Sequence, residues 1–145
     1  MNDKIEKALS KIIFYFPSLS YIIFGWEIEE NNNIPTMATN YKKLLYNPLF
    51  INSLSIPEIS AVIIHEIIHC VFLHPTEITN IQAQDKNPQK WNWALEIVTN
   101  AATLDLIKDT EFKLPGKPFS PIKANKFPIE SSEACYIYDE AGHNH

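Results

Sequence analysis

Between Ile59 and Leu73 the chain is apolar at nearly every position, and three ionisable residues, His65, Glu66 and His69, stand in the middle of that run. Apolar residues all the way round the helical wheel are the pattern of a helix enclosed on every side. Burying a carboxylate and two imidazoles inside such a helix is costly unless each finds a partner, so the fold must bring something polar to meet them. The spacing His65-Glu66-x-x-His69 puts two imidazoles one turn apart on one face. A divalent cation satisfies both at once. Zinc held by neutral imidazoles brings a bound water to a pKa near ~7, and Glu66 between them is placed to take the proton from that metal-bound water. The bland alternative is two core histidines bonded to backbone carbonyls and Glu66 in a salt bridge.

A hydrolytic zinc site needs a third protein ligand and one open position. Two residues compete for that place. Glu96 lies within Trp91 to Asn100, a second apolar stretch in which an unpartnered carboxylate would again be costly, and it is the expected ligand. His74 is the rival. It comes five residues after His69, so a continuing helix points it away from the zinc face and only a break near Pro75 turns it back. The bland readings are a lysine salt bridge for Glu96 and a helix C-terminal histidine for His74. Asn100, one turn beyond Glu96, is placed to orient Glu96 or a histidine ligand. Tyr136, Tyr138 and His74 are the candidates for stabilising an oxyanion, while His143 and His145 fall in a polar tail.

The surrounding pattern is α+β. Ile5, Ala8, Leu9, Ile12, Ile13 and Phe16 give a helix over about 3–16, ended by Pro17. The aromatic and β-branched run Tyr21 to Ile28 predicts a strand, followed by turn chemistry at Glu29 to Asn33. Thr36 to Tyr46 holds one or two short strands, and Asn47-Pro48 closes them with a turn signal. Ser55-Ile56-Pro57-Glu58 supplies an N-cap hydroxyl, an early proline and a capping-box glutamate, so the motif helix should run from about 56 to 73. A polar loop follows from Thr76 to Asn87, and Asn87-Pro88 opens a second long helix reaching about Lys108. Prolines at 115, 118, 121 and 128 make the rest irregular, up to a short helical candidate from Ser131 to Tyr138.

At 145 residues and 46% hydrophobic, the chain is expected to form a single domain, 1–145, with a Pro-rich C-terminal segment from about 109. It contains no arginine and has a net charge of -5, which removes the bidentate forks that grip phosphate and guanine and argues against nucleic acid. Neither a signal peptide nor a membrane span is visible, so a cytoplasmic location and reduced Cys70 and Cys135 are expected.

Taken together, Leu45-Tyr46-Asn47-Pro48 before the motif helix, Ser55 to Glu58 at its start, His65 to His69 with His74 after it, and Trp91-Asn92-x-Ala94 with Asn100 resemble a bacterial metallopeptidase domain. That HExxH family is usually found N-terminal to a von Willebrand factor A-like domain. The likeness spans about residues 35 to 140. It implies a zincin-like fold, with a small, mostly antiparallel sheet packed against the HExxH helix and a second long helix. It also implies zinc on His65 and His69 with Glu66 catalytic. Where the family is expected to carry aspartate this chain has Glu96. The chain stops where family members continue into their partner domain, which implies a stand-alone, phage-type or truncated form.

Two functions from different classes follow. The first is a zinc metallopeptidase whose substrate strand lies along a sheet edge. The second is a catalytically silent, metal-stabilised interaction module working with AAA-type ATPase or von Willebrand factor A-like partners. A metallohydrolase acting on phosphate esters is disfavoured by the missing arginines.

Overall fold

The computed structural model describes residues 2–40, 42–71 and 88–116. Helix α1 spans Asp3–Tyr15, capped by Asn2, whose side chain accepts from the amides of Lys4 and Ile5. A 3-10 turn at Pro17–Leu19 leads into the short helix α2, Ser20–Phe24. Strands β1 (Glu27–Glu30), β2 (Met37–Thr39) and β3 (Lys43–Tyr46) follow, then α3 (Pro48–Asn52), α4 (Ile56–Val71) and α5 (Pro88–Ile107). The architecture is α+β, as expected, and no described helix is long and apolar enough to cross a membrane.

Helix α4 is the central element. It starts as its sequence dictates: the amide and hydroxyl of Ser55 both donate to Glu58 Oε1 at 3.0 Å, and the Glu58 amide donates back to Ser55 Oγ at 3.4 Å. Ile59, Ile63, Ile64 and Ile67 are fully buried. Helix α1 packs along α4 through Ile5, Ala8 and Ile12, close enough that the buried Ser60 hydroxyl donates to the Ala8 carbonyl at 3.3 Å. Helix α5 and strand β2 also contact α4, so it is enclosed as an apolar helix must be.

The sheet order is β1-β3-β2. Strand β3 pairs antiparallel with β2, Met37 opposite Tyr46, and parallel with β1, Glu27 opposite Lys43. The sheet is therefore mixed rather than mostly antiparallel. Burial explains the order: β3, with Leu44 and Tyr46 both buried, takes the centre, whereas the glutamates of β1 belong on an edge. The tight link from β2 to β3 is fixed by Asn40, whose side chain accepts from the amides of Lys42 and Lys43.

Two local readings are corrected. Tyr21 to Phe24 is helical, only Glu27 and Ile28 of the expected strand are extended, and Glu29 and Glu30, expected as turn, continue that strand. The inward residues there are Leu19, Ile22, Ile23 and Trp26, a helical spacing, while Tyr21 and Phe24 are exposed. Asn47-Pro48 does not merely close a strand. Asn47 caps α3, accepting from the Leu49 amide at 2.9 Å with Pro48 in the first turn. The expected end of α4 near Pro75, the loop 76–87 and the helical candidate 131–138 lie outside the described residues.

Candidate metal centre

His65 and His69 project from one face of α4, and Glu96 meets them from α5. The two Nε2 atoms are 3.0 Å apart. Glu96 Oε1 lies 3.1 Å from His69 Nε2, and Glu96 Oε2 lies 3.4 Å from His65 Nε2. The three residues form a group able to hold a metal ion, with one ligand atom from each inside a 4.8 Å cluster. The imidazole rings meet edge to face with centroids 4.6 Å apart. Both histidine side chains are mostly buried and Glu96 is about half exposed, so the group sits at the floor of a surface cavity rather than in the sealed core.

The electrostatics differ sharply between the two glutamates. Burial pushes the Glu66 carboxyl above its ordinary value; His69 and His65 pull it back, and Glu96 adds to the rise. Desolvation acts the same way on Glu96. There it is outweighed by hydrogen bonds and charge from His65 and His69, which hold that carboxyl well below the usual carboxylate range. One carboxylate is thus committed to the imidazoles. The other lines the same cavity in a setting that favours holding a proton.

Thr99 was not singled out by the sequence. It is fully buried three residues beyond Glu96, donates its hydroxyl to the Leu95 carbonyl at 2.7 Å, and lies 3.5 Å from His69 Nδ1. His65 Nδ1 is buried with no hydrogen-bond partner among the described residues. Asn100, expected to orient Glu96 or a histidine, lines the cavity instead; no bond to either is seen among the described residues. His74, Tyr136, Tyr138, His143 and His145 lie outside those residues.

The cavity holds about 360 Å³ and is bounded by residues of β2, α3, α4, α5 and the segment after α5. A family model described as "Putative metallopeptidase domain" matches residues 1–140. The chain belongs to that family. The family description points to a metal-dependent peptidase with a peptide or protein substrate, and the His-His-Glu group supplies a place for the metal. No curated protein and no solved structure is a significant match.

Proposed function

We propose that residues 1–145 form one zincin-like domain that hydrolyses peptide bonds as a zinc metallopeptidase, in a cytoplasmic setting. One observation carries the reading: two imidazole Nε2 atoms and a carboxylate converge from two helices beside a second, half-buried carboxylate. Ligand bonds of about 2.0–2.1 Å in a tetrahedral shell separate neighbouring ligand atoms by roughly 3.3 Å. The separations of 3.0, 3.1 and 3.4 Å are close to that. Two imidazoles and one carboxylate also make the donor set of hydrolytic zinc sites, which leaves one position open.

His65, His69 and Glu96 would hold the ion. When bound, zinc supplies Lewis acidity, lowering the pKa of water and polarising a peptide carbonyl. Glu66 is the general base: its carboxylate takes the proton of the attacking water and passes it to the leaving amine. Strand β2, an edge of the sheet that reaches the cavity through Met37, offers main-chain groups along which an extended substrate can pair.

The test is zinc content by elemental analysis beside cleavage of an unfolded protein such as casein. Stoichiometric zinc in both wild type and Glu66→Gln, with cleavage in the wild type alone, supports the reading. Stoichiometric zinc with no cleavage of any protein tried moves the function to the metal-stabilised interaction module.

A further inference from the structure

The cavity beside the histidines contains a polar group that metal binding and proton transfer do not use. Asn100 is only 6% exposed, one helical turn beyond Glu96 on α5, and it lines the cavity. Its side chain has no hydrogen-bond partner among the described residues. Both oxygens of Glu96 are engaged by the histidines, so the carboxamide is not needed to orient them. The residue is almost wholly enclosed, yet its amide is not among the sealed unsatisfied atoms, so the carboxamide is reached from the cavity and open to a ligand there. Asparagine offers two N–H donors and a carbonyl acceptor, the complement of the C=O and N–H of a peptide group.

Apolar residues line the cavity as well: Met37 from β2, Phe50 from α3, Val62 from α4 and Leu114 after α5 reach it from four separate segments. A volume of about 360 Å³ falls within the range that ordinary ligands fill, roughly 300–1,000 Å³. An acidic side chain entering here would face Glu66 and Glu96, whereas an aliphatic or aromatic one would be desolvated against matching surface.

We propose that this cavity is a specificity subsite for a bulky apolar residue adjoining the scissile bond, with Asn100 hydrogen-bonded to the main-chain peptide group of that residue. The assignment rests on the peptidase reading above and adds its substrate preference.

The experiment measures binding of pentapeptides, blocked at both ends, to zinc-loaded Glu66→Gln protein, with cleavage by the wild type in parallel. The central residue is leucine, phenylalanine, alanine or glutamate. Leucine and phenylalanine peptides should bind roughly tenfold or more tighter than alanine, with glutamate weakest. Adding Asn100→Ala should weaken all four by a similar factor, roughly tenfold, with zinc content unchanged. Adding Leu114→Ala should reduce only the apolar preference. Asn100→Ser stands in if Asn100→Ala does not give a native circular dichroism spectrum. Equal binding of leucine and alanine peptides, or full-strength binding after the loss of the Asn100 amide, overturns the subsite and leaves the peptidase reading in place. Zinc-loaded protein that neither binds nor cleaves any peptide removes both.

Discussion

Zinc should raise the melting temperature of this protein by an amount that depends on Glu96. A ligand that binds only the folded state, present at a thousand times its dissociation constant, adds about 4.1 kcal/mol of stability. Unfolding entropy near the midpoint is about 2.1 cal/mol/K per residue, or roughly 0.3 kcal/mol/K for 145 residues, so the shift is about 13 °C. Changing an outer contact to a metal ligand typically costs 10–100-fold in affinity, so removing a ligand itself should cost at least about a hundredfold. At the same zinc concentration Glu96→Ala should then gain only about 1.4 kcal/mol, a shift of about 5 °C. Glu96 is half exposed, so the alanine variant should fold without a large cavity penalty and the comparison is between two folded proteins. Differential scanning calorimetry with zinc, and with magnesium as a hard-cation control, measures it. A zinc-induced shift as large in Glu96→Ala as in the wild type would refute the ligand assignment and move the third position to a residue such as His74.

His65→Ala and His69→Ala should each abolish stoichiometric zinc in elemental analysis, whereas Glu66→Gln should retain it; zinc retained in both histidine variants would sink the site. Ile63→Ala, at a fully buried position of α4, should cost about 3–4 kcal/mol in denaturant unfolding, the usual range for a core isoleucine truncated where neighbours cannot collapse. The Ser55 hydrogen bonds hold the Glu58 carboxyl below its ordinary value of 4.5. Its folded pKa being the lower one, the stabilisation is complete above the unfolded pKa and is lost as pH falls through the folded value. Urea midpoints of Glu58→Gln and wild type should therefore converge as the pH is lowered below about 4.5; a gap unchanged down to pH ~3 contradicts the capping role.

The long helices were legible because each carries its own evidence. Helix α1 repeats apolar residues at 3.6 spacing, α4 opens with a capping box, and α5 opens with Pro88. Tyr21 to Phe24 has the β-branched and aromatic content of a strand, yet the spacing of Leu19, Ile22, Ile23 and Trp26 against the core decides for a helix. The parallel pairing of β1 with β3 has no local signature. It follows from which strand is apolar enough to occupy the centre of the sheet, a comparison among strands that none shows alone.

The candidate site divides along the same line. His65 and His69 share a helix face and are fixed to each other by spacing, and Glu96 was found because a carboxylate in an apolar helix demands a partner. That second argument names a residue with a need without naming what meets it; α4 and α5 bring Glu96 against both histidines, while His74 lies outside the described residues. Thr99 and Asn100 show the limit more plainly. A threonine inside a helix commonly returns its hydroxyl to the carbonyl four residues back, as Thr99 does to Leu95, and nothing in the sequence says that the same oxygen approaches His69. Asn100 looked like a supporting residue because it is one turn from Glu96. With Glu96 already bridging both histidines, Asn100 is left lining the cavity without a bond to them, and under the subsite proposed above its carboxamide meets the substrate main chain.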